Sequence, residues 1–251
     1  MSAWGRKRQA IIIAYLILGL IIITAFFYFF VLYNPPSCFD GKQNGLEEGV
    51  DCGGACTKVC SFKATSPNIV WARSFEVGPG VYNMAAYIEN PNFEIGTTLQ
   101  YTLRGFNKDN MLVAEVNDSI DLAPRERRII FHQAVSTDNR KIERSYLTFE
   151  EGYSWYKDEA QSKVVEMIGY RLDKLETSPS LEVDLRNTGV DPLKDLEIIV
   201  VLYNQDENVE HISRTYVDHL VGTGERTVFF SWRKPFDNFI ARVEIFTRLT
   251  K

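Results

Sequence analysis

The four cysteines of this chain, Cys38, Cys52, Cys56 and Cys60, fall within 23 residues. Clustered this tightly they act as one local unit, and two chemistries suit them. Four thiolates could hold a tetrahedral zinc ion. The intervals of 13, 3 and 3 residues lack the paired CxxC knuckles of common zinc ribbons. An even cysteine number in a short, glycine-rich stretch of an exported chain reads instead as disulfides. Bridges would staple a segment with too few apolar residues to fold around its own core. All four are disulfide candidates, and three pairings are open to them.

The same stretch carries Asp40, Asn44, Glu47, Glu48 and Asp51, with Gly41, Gly45, Gly49, Gly53 and Gly54 for sharp turns. Calcium takes six to eight oxygens, often from loops of this composition. Asp40, Asn44, Glu47 and Asp51 are therefore candidate calcium ligands. The spacing is not that of an EF-hand, and a polar loop held by disulfides accounts for the same residues. Calcium aside, no cofactor is called for.

Elsewhere the residues point away from catalysis. His132, His211 and His219 are the only histidines. They fall on or beside strand patterns, without helical metal-ligand spacing. There is no GxSxG elbow and no P-loop, and Gly222-Thr223-Gly224 reads as a hairpin turn because no helix pattern follows it. The reading is a non-enzyme. Tyr153, Trp155 and Tyr156 lie in a connector at 151–159, where they could form a binding platform or pack two domains together. Trp71 and Trp232 sit on strand patterns and read as core residues. Asn117-Asp118-Ser119 has the form of a glycosylation acceptor.

The elements that must position these residues begin with a membrane segment. Ala10 to Tyr33 contains no charged residue, and a helix of about 24 residues spans roughly 36 Å, enough to cross a hydrocarbon core. The apolar part of a signal peptide is shorter and ends at a small-residue cleavage site, whereas this run ends in Phe26, Phe27, Phe29, Phe30 and Tyr33. Arg6, Lys7 and Arg8 in the first nine residues place the N-terminus in the cytoplasm by the positive-inside rule. Asn34-Pro35-Pro36 ends the helix, and everything after it is expected outside. Formal net charge is -5, and setting aside those three bases leaves 25 basic against 33 acidic residues, or -8. An acidic exterior without a basic patch argues against nucleic acid as partner.

From about Pro67 the chain reads as β. Short apolar–polar alternations recur at Val81–Ile88, Leu99–Phe106, Arg128–Val135 and Leu196–Leu202. Turn residues separate them at Asn90-Pro91-Asn92, Asn107–Asn110 and Gly222–Gly224. An internal correspondence links the two halves. Ala86–Asn92 matches Val183–Gly189, Leu99–Asn107 matches Leu196–Asn204, and Ile120–Arg127 matches Leu220–Arg226. The fold class is mainly β: a cytoplasmic basic tail (1–9), a transmembrane helix (10–33), a cysteine-rich segment (34–65), and tandem Ig-like β-sandwich repeats at 66–150 and 160–251 joined by a linker (151–159).

Two resemblances add to this. Cys38–Cys60 resembles the C-x-D-G-x-Q-N-x-x-E-x-G-V-D-C-G-G-x-C-x-x-C motif of predicted bacterial surface proteins. Asp40, Gly41, Gln43, Asn44, Glu47, Gly49, Val50, Asp51, Cys52, Gly53, Gly54 and Cys56 fall in place, and the last interval is three residues instead of two. The match covers about a tenth of the chain and implies an envelope setting. Val201-Leu202-Tyr203-Asn204 with Gly224-Glu225 resembles FxLYD-type Ig-like modules, and Arg104-Gly105-Phe106-Asn107 with Pro124-Arg125-Glu126 is a looser copy in which Gly105 replaces a packed residue. The expected function is a membrane-anchored, extracytoplasmic display or interaction protein of the cell envelope, whose partner is another envelope protein or a surface ligand. The alternatives are a subunit of an envelope complex and a calcium-dependent adhesin.

Overall fold

The computed structural model describes residues 3–32, 37–158 and 164–249, and the chain divides into two compact units, Met1–Cys56 and Thr57–Lys251. The first unit opens with α1 (Ala3–Phe27), which runs on into a π-helical turn at Tyr28–Leu32. Arg6, Lys7 and Arg8 lie in its first turns, so helical backbone begins ahead of the apolar run. Its described apolar stretch has no charged face and no buried residue: Ile12, Leu16 and Ile23 are 59%, 68% and 66% exposed. Such a helix is poorly suited to water, and its Arg8–Phe30 stretch is long and apolar enough to cross a membrane. Tyr33–Pro36, where the proline pair predicts the helix end, lie outside the described residues.

The second unit is built from strands. The first are β1 (Lys58–Val59), β2 (Asn68–Gly78), β3 (Val81–Glu89), β4 (Ile95–Phe106), β5 (Leu112–Leu122), β6 (Arg127–Ser136), β7 (Arg144–Phe149) and β8 (Trp155–Lys157). They are followed by β9 (Val165–Asp173), β10 (Ser180–Asn187), β11 (Leu193–Tyr203), β12 (Val209–Leu220), β13 (Glu225–Ser231) and β14 (Arg242–Leu249). Four antiparallel sheets result. One has the order β1-β8-β4-β5, with β7 also on β4, and the others are β2-β3-β6, β12-β11-β14 and β13-β10-β9.

The sheets stack in four layers with three cores between them. Met84, Ile88, Leu99, Leu103 and Leu122 fill the core between the β4 and β3 sheets. Leu181, Val183, Leu185, Ile198 and Leu202 fill the core between the β10 and β11 sheets. The third core joins the sandwiches: Ala85, Tyr87, Ile129 and Phe131 meet Ile199, Val201, Tyr203 and Ile212, with Trp71, Phe75 and Phe246 at its margin. Tyr87 stands edge-on to Phe246 at 5.3 Å between ring centres. At the rim, Arg214 pairs with buried Glu197 at 3.1 Å and lies over the Phe131 ring. β3 and β11 are thus covered on both faces, where the sequence pattern predicts one apolar face each.

Matching contacts recur in the two sandwiches. The Asn90 amide donates to the carbonyls of Ile95 and Ala123, and its Oδ1 accepts the Asn92 N–H. The Asn187 amide donates to Asp191 and Val221, and its Oδ1 accepts the Gly189 N–H. Asn107 and Asn204 each accept two backbone N–H groups across a hairpin. Arg125 and Thr223 take the same left-handed turn conformation, with φ of 56° and 54°, and their N–H groups bond Asn92 and Gly189. Asn90 N–H bonds the Glu126 carbonyl and Asn187 N–H that of Gly224. These bonds make Glu126 the counterpart of Gly224, one position away from the sequence match of Ile120–Arg127 with Leu220–Arg226. Gly105, at the position that Leu202 holds in the second sandwich, leaves room that Ile142 fills: a Cβ there would stand 2.8 Å from Ile142 Cδ1.

Two expected outcomes test this architecture. Asn187→Ala or Asn90→Ala removes the partner of buried carbonyls and should cost about 3 kcal/mol by urea denaturation, while exposed Ser119→Ala should stay within about 0.5 kcal/mol of wild type. Ala85→Glu puts a carboxylate into the shared core. It should split one cooperative unfolding transition into two, whereas persistence of a single transition would mean the sandwiches do not depend on this face.

Candidate functional site

Cys38 is joined to Cys56 by a disulfide. Cys52 and Cys60 are disulfide-bonded too, and no cysteine is free. Sulfurs oxidised in this way are not thiolate ligands, so the grouping of Cys38, Glu47 and Cys56 is not the zinc site that the sequence left open. The acidic residues fold the loop upon itself. Asp51 accepts the backbone N–H groups of Asp40 and Gly41 at 3.0 Å. Asp40 accepts from the Asn44 side chain at 2.8 Å and from Lys42 N–H at 3.0 Å. The Asn44 bond foremost holds the Asp40 carboxyl below its ordinary range. Glu47 accepts Asn44 N–H at 3.1 Å, and its other oxygen lies 3.5 Å from Cys56 Sγ. Gly54 is required for close approach, since a Cβ there would sit 1.6 Å from the Leu46 carbonyl oxygen. The structure therefore brings the candidate calcium ligands into one loop, with the oxygens of Asp40, Glu47 and Asp51 engaged by the loop's own N–H groups.

The three connector aromatics do not form one platform. Trp155 is 3% exposed on β8, which pairs with β1 and with the start of β4. Tyr153 packs against the first sandwich's core and meets Trp155 edge-on. Tyr156 is 46% exposed. Trp155–Lys157 is therefore a strand of the first sandwich where the sequence predicts a linker. The two sandwiches are joined by the Tyr87 and Tyr203 face and not by these rings. Trp71 lies at the margin of that face, and Trp232, just past β13, packs on the second core. Asn117 stands on β5 and accepts a bond from Thr102.

His132 lies on β6 with Nε2 2.8 Å from the Tyr101 hydroxyl. His211 lies on β12, stacked on Phe236 at 4.1 Å. Burial holds both imidazoles below their ordinary range. His219 is near the far end of β12.

One concave feature was not singled out in the sequence. A cleft of about 480 Å³ is lined by Trp71, Arg73 and Phe75 of β2, by Glu143 and Arg144 at the start of β7, and by Val209 and Glu210 at the start of β12. Arg73 donates to Asn208 Oδ1 at 3.0 Å and Arg144 to Asn110 Oδ1. Glu143 is paired with Lys141 at 2.8 Å, whose hydrogen bond holds its carboxyl below the ordinary range. Glu210 accepts from the Asn204 amide. The lining comes from three segments far apart in the chain, each an ordinary strand or turn by its own pattern, so no local signal marks it.

No family model and no curated protein matches the chain. Among solved structures it is similar to red sea bream transglutaminase, at 10% identity over 74% of this chain and 31% of that one, with a TM-score of 0.22. It is also similar to a β-glucuronidase of glycoside hydrolase family 2, at 7% identity over 82% and 26% of the two chains, with a TM-score of 0.24. The chain spans less than a third of either protein. Likeness at this level assigns no activity.

The buried histidines imply a pH dependence. Their folded pKa values lie below the unfolded value near 6.5. As pH falls through about 6.5 the unfolded chain takes up protons that the folded chain refuses, so stability falls with acidification. The urea midpoint should drop between pH 7 and pH 5, and by less in a His132→Gln/His211→Phe double variant. Equal slopes would mean the imidazoles titrate alike in both states.

Proposed function

We propose that this chain is a membrane-anchored, extracytoplasmic interaction protein of the cell envelope. In this reading α1 is an uncleaved anchor with its basic N-terminal turn in the cytoplasm, and the sandwiches present surface to a partner outside. The observation that carries the reading is that every cysteine in the stretch following the apolar helix is oxidised, as suits a segment held in an oxidising compartment. The resemblance of Cys38–Cys60 to a surface-protein motif supports the same setting. The matching asparagine bonds at Asn90 and Asn187 support reading the sandwiches as two copies of one FxLYD-like, Ig-like module. The role proposed is display and binding, without catalysis.

The reading has a direct test in cells that express the full chain. The protein should stay with membranes through alkaline carbonate washing at full length. External protease should remove the sandwiches, and maleimide should label the cysteines only after reduction. Release by carbonate, a shortened N-terminus, or thiols that label without reduction would each overturn it.

A further inference from the structure

The cleft beside β2 has a floor made of open strand edge. β2 is hydrogen-bonded to β3 on one side, and among the described residues no other backbone hydrogen bond reaches Asn68–Gly78. An edge in this state offers a row of N–H and C=O groups spaced to receive another strand. Register shifts between Ile69 and Trp71 and between Glu76 and Gly78 bracket it. Bulges end pairing, so they leave Trp71–Glu76 as the regular stretch, long enough for a short added strand. β7 belongs to the sheet on one side of the β2 sheet, and β12 to the sheet on the other. Their first residues wall the cleft, so an incoming strand would meet backbone on the floor and side chains on both flanks.

The charges in this cleft are unequal. Arg73 and Arg144 are held by neutral amide oxygens of Asn208 and Asn110. Glu143 is neutralised by Lys141, which leaves Glu210 as the remaining carboxylate among the lining residues. Among the described residues neither Arg73 nor Arg144 has a carboxylate of its own, and a guanidinium fork favours a carboxylate partner. Trp71 and Phe75 add apolar surface at the same edge.

We infer that the Trp71–Glu76 edge is a β-augmentation site. An extended polypeptide segment bearing an acidic side chain adds to β2 as a fourth strand of its sheet. Its carboxylate is taken by Arg73 and Arg144, and an apolar side chain lies against Trp71 and Phe75. This deepens the interaction reading above and rests on it. It commits to a peptide because the floor consists of backbone amides, which an anionic polysaccharide could not pair in register.

The test uses the full chain in lipid nanodiscs and a phage-displayed library of random heptapeptides. Selected peptides should be rich in Asp and Glu and should slow amide exchange in residues 71–76. N-methylation of alternate peptide amides should abolish binding. An Arg73→Glu/Arg144→Glu variant, altered at two exposed side chains, should keep the wild-type urea midpoint, lose at least about tenfold in affinity, and select basic peptides instead. Absence of enriched peptides, protection elsewhere, or indifference to N-methylation would overturn the proposal. So would binding of dextran sulfate at this site with no peptide binding. Failure of the anchoring reading would appear separately, in the carbonate and protease results, since peptide binding in nanodiscs does not depend on the chain's orientation in cells.

Discussion

β3 and β11 are covered on both faces, and most of the second unit follows from that double burial. Ala85 and Tyr87 point to one side of β3, Met84, Ala86 and Ile88 to the other, and both sides are buried. On β11, Ile199 and Val201 face the first sandwich while Ile198, Val200 and Leu202 face the second's own core. A strand with period two can serve two cores only if both its faces are apolar. The continuous run Ile198–Leu202 meets that demand. Burying the shared face turns two sandwiches into one body, and it recesses the edge of β2 between the neighbouring sheets.

The stack ends because its outer faces are polar at the positions that are apolar inside. By the matching turn bonds, Glu182 holds in the second sandwich the position of Ala85 in the first, and Asp184 that of Tyr87. On the outer sheet, Thr227 bonds Asp184 and Arg186 pairs with Glu225. At the other end, Thr102 and Arg104 take the places of Ile199 and Val201, and they bond Asn117 and Glu115. Phe229, at the position that Phe131 holds in the first sandwich, remains 64% exposed. Charged and hydroxyl ladders of this kind keep a sheet face solvated, in the manner of the polar caps that end repeat arrays. Among the described residues, sheet-on-sheet growth therefore meets outer faces that are polar at these positions, Phe229 apart.

The cysteine loop shows a different economy. Its fold relies on bridges, glycines and carboxylates that accept N–H groups, with little apolar burial. Asp51, Asp40 and Glu47 bond the loop's own amides, and this accounts for acidic residues at those positions through folding alone. A list of residue types does not say which donor each oxygen meets, so the sequence does not distinguish a calcium loop from a loop closed on its own amides.

Features that depend on local composition and period are legible in the amino-acid order alone. These include the apolar helix, the β character after Pro67, and the turns at Asn90, Asn107 and Gly222. Each is set by side chains a few residues apart, so each is legible in a window. Long-range packing settles that Cys38 bonds Cys56, that Trp155 belongs to a strand, and that Tyr87 and Tyr203 share a core between sandwiches. It alone placed Arg73, Arg144 and Glu210 around one strand edge. Those outcomes depend on which distant faces and edges meet. The period of a strand says which residues share a face, and says nothing of what that face lies against.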